Sequence, residues 1–190
     1  MNDSLLAGRY AKALLAHADS IGQAEALYPI MGELAHVAMD SAGVAQVLKN
    51  PIVGGKEKVR VVVEALCERV ACEGESRMLV ERFVGLVVDH HRERWLGQMA
   101  LGYVRLYRKS RGIVRVNLTT TAEPDGALVE RLRTIVEERT GGVAEINTHI
   151  QPSIEGGFVL QVDDLLLDAS LRGQLEKIRK ELLRKNKTLV

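Results

Sequence analysis

Apolar residues recur at intervals of three and four along almost the whole stretch from Ser4 to Arg108, the period of helices with one buried face. Leu5, Leu6, Tyr10, Ala13, Leu14 and Ala18 trace the first such face, on a helix that Ser4 would cap and Gly22 would close. A second helix is expected from about Gln23 to Met39. A short third, Val44 to Leu48, must stop before Asn50-Pro51, because proline disfavours helical geometry in the residue ahead of it. Gly54-Gly55 opens a fourth through about Ala71, with Val59, Val62, Val63, Leu66 and Val70 as its stripe. The fifth spans Ser76 to His90 and the sixth about Glu93 to Lys109. Links this short favour antiparallel neighbours and predict a six-helix bundle.

At Gly112 the period shifts towards two. Ile113, Val116 and Leu118 with Thr119 to Thr121 have strand composition, and Glu123-Pro124-Asp125 supplies turn and cap residues for a helix from about Gly126 to Thr140, ended by Gly141-Gly142. Val143 to Ile150 alternates as a second strand, Gln151 to Gly157 is a turn, and Phe158, Leu160 and Val162 alternate as a third. Leu165 to Leu167 adds a short fourth. A last helix is expected from near Ala169, with Leu171, Leu175, Ile178 and Leu182 at helical spacing. The fold class is therefore mainly α, with an N-terminal six-helix bundle over residues 1–109 followed by a smaller α+β domain over residues 110–190.

Composition narrows the function classes. Of 190 residues, 46% are hydrophobic and 27% charged, with 26 Lys plus Arg against 25 Asp plus Glu, which excludes a disordered tail protein. Charge also divides almost evenly across the boundary near residue 110, so neutrality does not come from an acidic half cancelling a basic one. No window approaches the roughly 18 uninterrupted apolar residues of a membrane span, since Arg60, Glu64, Glu68, Arg82 and Asp89 break the longest apolar stretches. The N-terminus lacks a basic segment followed by an apolar core, and a cytosolic compartment is expected. Aromatics at 4% are too few for the stacking platforms of single-strand binders. Cys67 and Cys72 fall five apart in a stretch that reads as helix, on different faces, so neither a disulfide nor a metal clip is expected.

Catalytic chemistry needs a constellation, and none assembles from the sequence. Gly54-Gly55-Lys56 lacks the first glycine of a phosphate loop, where Asn50 stands, and its final hydroxyl, where Glu57 stands. His90-His91 would point about 100° apart on a helix and share one metal ion poorly. Asp163, Asp164 and Asp168 read as turn residues and the cap of the last helix. The strongest charge feature is the terminal run Lys177, Arg179, Lys180, Arg184, Lys185 and Lys187, which suits nucleic-acid phosphates, anionic lipid or, as a solvated helix face, an acidic protein partner. An adaptor is the reading these features favour, with a nucleic-acid-binding adaptor that uses the basic C-terminal helix as the alternative.

Several segments resemble one family. Arg9-Tyr10-Ala11-Lys12-Ala13-Leu14, then Leu48 with Asn50-Pro51 and Lys56, then Phe83 through Arg92, are similar to the N-terminal half of the δ subunit of F-type ATP synthases, called OSCP in mitochondria. Pro152-Ser153-Ile154, Gly156-Gly157-Phe158-Val159 and Asp168-Ala169-Ser170-Leu171 with Leu175 are similar to its C-terminal signature, in the family's order and over nearly the whole chain. Gln151, Glu155 and Asp164 depart from the family pattern in the C-terminal loops.

The resemblance implies a non-catalytic stator subunit of a proton-translocating ATP synthase, linking catalytic head to peripheral stalk so that the head resists rotor torque. It implies no cofactor, no metal, no small-molecule substrate and no nucleic acid. The implied partners are the α subunits of the head and the b subunit of the stalk. The membrane would be reached only through partner subunits, at the cytoplasmic face of the cell inner membrane. In the family, the first and fifth helices form a groove for an N-terminal helix of an α subunit, which points here to Tyr10, Ala13, Leu79, Phe83 and Leu86. Lys177, Lys180 and Arg184 would belong to the stalk-facing surface.

Overall fold

The computed structural model describes residues 3–154, 156–163 and 165–175, with side chains from Leu5 onward. The chain forms two compact units that divide between Ser110 and Arg111.

The first unit carries α1 (Asp3–Ser20), α2 (Ala24–Asp40), α3 (Ala42–Lys49), α4 (Gly55–Cys67), α5 (Gly74–Asp89), a one-turn 3-10 helix (Glu93–Trp95) and α6 (Leu96–Arg111). Alanine spacing explains how α1 packs: Ala7, Ala11 and Ala18 are buried, and small side chains let a neighbouring helix come close. Gly102 on α6 takes that opportunity, since a Cβ added there would lie 3.0 Å from the Cβ of Ala11. Tyr103, fully buried on α6, donates its hydroxyl hydrogen to the Ala24 carbonyl at 3.0 Å. Tyr28 of α2 stacks on Tyr107 of α6 with centroids 4.7 Å apart. α2 runs through Pro29 without breaking, and its seven buried residues supply the packing that offsets the missing N–H. At the start of α5, Ser76 donates to the Gln23 side chain at 3.1 Å, and Gln23 donates onward to Glu75 at 2.9 Å.

Several boundaries differ from the sequence expectation for identifiable reasons. α1 starts at Asp3, so Ser4 lies inside it and is not its cap; Gly22, with φ of 70°, does end it, and Gln23 N–H bonds back to the Ala18 carbonyl at 2.8 Å. α4 stops at Cys67, four residues early. Both Arg69 and Val70 N–H groups turn back to the Leu66 carbonyl, and Cys72, outside the helix, takes the next buried position. The two cysteines therefore do not share a helix. Cys67 Sγ donates to the Cys72 carbonyl at 3.6 Å, and both thiols are free. The stripe of α4 also includes Lys58, buried at 7% exposure, where periodicity expected only apolar residues. The sixth helix begins as the 3-10 turn and becomes α-helical at Leu96.

In the second unit, β1 (Ile113–Thr120), α7 (Gly126–Thr140), β2 (Val143–Ile150), β3 (Phe158–Val162) and β4 (Leu165–Asp168) build a sheet of order β2-β1-β3-β4. β1 pairs β2 in parallel, Leu118 opposite Thr148, and β3 antiparallel, Leu118 opposite Leu160. A parallel neighbour requires a crossover, and α7 provides it. Asp125 caps α7 by accepting from Ala127 N–H at 3.2 Å, and Gly141 at φ of 70° ends it. Leu132 and Val136 of α7 pack on Val116, Leu118, Ala144 and Leu160 to form the core.

The turn before β3 contains a 3-10 turn at Pro152–Ile154 and then two glycines of positive φ. A Cβ on Gly157 would lie 2.3 Å from the Ala169 carbonyl, while Leu171 N–H bonds the Gly156 carbonyl at 3.1 Å. The Gly156-Gly157 and Asp168-Ala169-Ser170-Leu171 motifs thus fit against each other. Residues 171–175 are helical, and their cap is Ser170, whose hydroxyl accepts from Gly173 N–H at 3.0 Å. Asp168, expected as the cap, instead holds that hydroxyl, accepting from Ser170 Oγ at 2.6 Å and from its N–H at 2.9 Å. Asp163 is a turn residue, with φ of 47°.

Candidate functional site

Two stripes of side chains at helical spacing meet in the first unit. On α1, Tyr10, Ala13, Leu14 and His17 follow the i, i+3, i+4, i+7 rule; on α5, Leu79, Phe83 and Leu86 do the same. The opposite faces of these helices, with Ala7 and Ala11 on one and Val80, Val84 and Val87 on the other, enter the core. The outward stripes bound a groove of about 450 Å³, completed by Arg9 and Arg82. All five residues expected there, Tyr10, Ala13, Leu79, Phe83 and Leu86, are brought together.

They play different parts. Leu79 and Phe83 are buried at 6% and 7% exposure and make the floor, so they also belong to the core. Leu86, 48% exposed, stands on the wall. Ala13 is exposed and small, leaving space where a larger residue would fill the groove. Tyr10 is fixed: Arg92 Nη1 donates to its hydroxyl, and the guanidinium carbon lies 5.4 Å from the ring centroid. Arg92 comes from the segment after α5, so one side chain ties both walls. Its role was not legible in sequence, because contact with Tyr10 depends on how α1 and α5 pack. Leu14 and His17 could have been found by extending the Tyr10 stripe along α1, whereas Arg9 and Arg82 directly precede Tyr10 and Phe83 and flank the stripes instead of continuing them.

A larger cavity, about 910 Å³, lies between α3, α4 and the end of α5. Gly54 and Gly55 reach its lining, but Gly54 caps α4 in extended conformation and no phosphate-cradling loop forms. The pair Lys58 Nζ and Glu93 Oε1, 2.9 Å apart, sits here with side chains 9% and 11% exposed. Burial opposes the Glu93 charge, yet the hydrogen bond and charge of Lys58, with the backbone and His91 adding to them, hold its carboxyl below the ordinary range. His90 and His91 are exposed at the end of α5. Among the described residues no group of three or more His, Cys, Asp or Glu is placed to hold a metal ion, and no helix is long and apolar enough to cross a membrane. Burial, and then the neighbouring Cys67, push the Cys72 thiol up to about 11. Lys177, Lys180 and Arg184 lie outside the described residues.

Comparison with known proteins gives a consistent picture. Residues 6–182 match the family described as ATP synthase delta (OSCP) subunit. The ATP synthase subunit delta of Bacteroides fragilis is 37% identical over 192 residues, covering 100% of both chains. That of Phocaeicola vulgatus is 35% identical over 182 residues, covering 96% of each. Among solved structures, a chain of the Toxoplasma gondii mitochondrial ATP synthase hexamer shares the fold, with a TM-score of 0.64 at 24% identity, covering 94% of this chain and 97% of that one.

Proposed function

From the premise that this chain belongs to the ATP synthase delta (OSCP) family and is a non-catalytic stator subunit of that complex, we propose that its α1–α5 groove receives an N-terminal helix of an α subunit. The six helices of residues 1–109 would then act as a bundle seated on the catalytic head. Residues 110–190 would meet the b subunit of the peripheral stalk, with Lys177, Lys180 and Arg184 on that surface. The assembly would sit at the cytoplasmic face of the inner membrane, held there by its partner subunits. Rotary catalysis exerts torque on the head, and a stator link needs a broad, firmly anchored interface in place of a reactive site.

The observation that carries the assignment is the groove itself. It has an almost wholly apolar lining, an exposed alanine within that lining and a ring immobilised by Arg92, which together suit a helix laid in lengthwise. The nucleic-acid alternative gains no support, since the family match spans residues 6–182 and takes in Lys177, Arg179 and Lys180 of the basic terminal run.

Titration of the full chain with a peptide from the α-subunit N-terminus tests the assignment. Ala13→Asp would place an unpaired carboxylate in the apolar contact and should weaken binding by about 3 kcal/mol, roughly a hundredfold in Kd. Helical content should stay unchanged because Ala13 is exposed. Binding of Ala13→Asp at wild-type strength would remove the groove from the interface.

A further inference from the structure

Every formally charged side chain lining the groove is an arginine. Its lining contains Arg9 and His17 from α1 and Arg82 from α5, and not one carboxylate. Arg9 and Arg82 are exposed, and neither has an ion-pair partner among the described residues. The acidic neighbour Glu81 is already engaged, with Arg77 Nε 3.0 Å away. Lys12 adds a further positive charge on the exposed side of α1, and Arg92 lies against Tyr10. A chain carrying 26 basic and 25 acidic residues has no global excess to explain this, so the asymmetry is local to the groove.

Resting on the docking assignment above, we infer that the groove selects among amphipathic helices by charge, taking one whose apolar stripe is edged on both sides by carboxylates. Arg9 on the α1 wall and Arg82 on the α5 wall are the residues that read them. A helix settling onto the floor of Leu79 and Phe83 removes water from both rims. The guanidiniums then either meet carboxylates, in the bidentate geometry that suits them, or face apolar or basic side chains with part of their hydration lost. Because the two arginines come from different helices, a partner acidic on one edge only would satisfy one wall and leave the other uncompensated. The arrangement therefore fixes how the partner helix is rotated about its axis as well as how strongly it binds.

The test uses the full chain and three designed helical peptides with one Leu/Ala stripe at i, i+3, i+4 and i+7, edged on both sides by Glu, Gln or Lys. At low ionic strength the Glu peptide should bind about tenfold more tightly than the Gln peptide, and the Lys peptide most weakly; at 0.5 M salt the spread should shrink. The double variant Arg9→Glu/Arg82→Glu, at exposed positions and checked for unchanged helical content, should prefer the Lys peptide. Equal affinities for the three peptides, or an unaltered order in the double variant, would overturn the charge rule. If those peptides still lost binding with Ala13→Asp, the docking site would stand without it. Absence of binding by every peptide would overturn the charge rule and the docking assignment together.

Discussion

Replacing Lys58 by Met isolates the one buried ion pair among the described residues of the helical unit. At 2.9 Å and an effective dielectric of 20, the attraction between Lys58 and Glu93 is about 6 kcal/mol. Desolvation of several kcal/mol for each ion opposes it, so the pair should contribute little beyond an apolar pair of the same size. Removing one partner is different: Glu93, whose side chain is 11% exposed, would keep its desolvation cost and lose its compensation. We expect Lys58→Met to cost about 3–5 kcal/mol at pH 7, and Lys58→Met/Glu93→Leu to recover most of that loss. The readout is urea denaturation followed by fluorescence of Trp95, the single tryptophan, two residues from Glu93. The sign with pH is also fixed. Glu93 has a lowered folded-state value, so in the wild type its stabilisation is complete above the ordinary Glu range and is lost as pH falls through the folded value. In Lys58→Met the isolated carboxylate should take up a proton more readily, so the penalty should shrink towards pH 4. Single-variant costs that simply add in the double variant would refute the argument.

Gly102→Leu should destabilise the helical unit by about 2 kcal/mol or more, because its Cβ alone would lie 3.0 Å from Ala11; Gly102→Ala should lose less, as a propensity gain of about 1 kcal/mol offsets part of the crowding. Thermal denaturation checks both, and wild-type stability in Gly102→Leu would contradict the close approach of α1 and α6. Cys72, 3% exposed with its thiol near 11, should react with maleimide far more slowly than half-buried Cys67, as read by peptide mass spectrometry at pH 7.5. Because its folded value is raised, Cys72 should lower stability progressively as pH climbs from the ordinary thiol range to about 11, a slope that Cys72→Ala should lack.

What periodicity could and could not reveal follows from what each feature depends on. The helices and strands were legible where apolar spacing, glycines and caps agreed, as at Asp125 and Gly141 around α7, whose limits match the expectation to the residue. They were misjudged where tertiary contacts decide. α4 ends at Cys67 because Leu66 is the last stripe residue to enter the core, although Val70 continues the pattern. Lys58 looks like a surface charge until Glu93, 35 residues later, is placed against it. The groove residues emerged from family motifs, whereas the lock of Arg92 on Tyr10 spans 82 residues and has no local signal. Gly156-Gly157 and the Asp168 segment showed as two separate motifs; only folding reveals that one accommodates the other.

The central claim, that this subunit holds the head to the stalk through the α1–α5 groove, is tested most directly by reconstitution. Catalytic heads stripped of this subunit would be added to membranes retaining the proton channel and stalk, with ATP-driven proton pumping as the readout. Wild-type chain should restore pumping, and Ala13→Asp should fail to restore it while ATP hydrolysis by the free heads continues. Full pumping with Ala13→Asp, or with no added chain, would contradict the account.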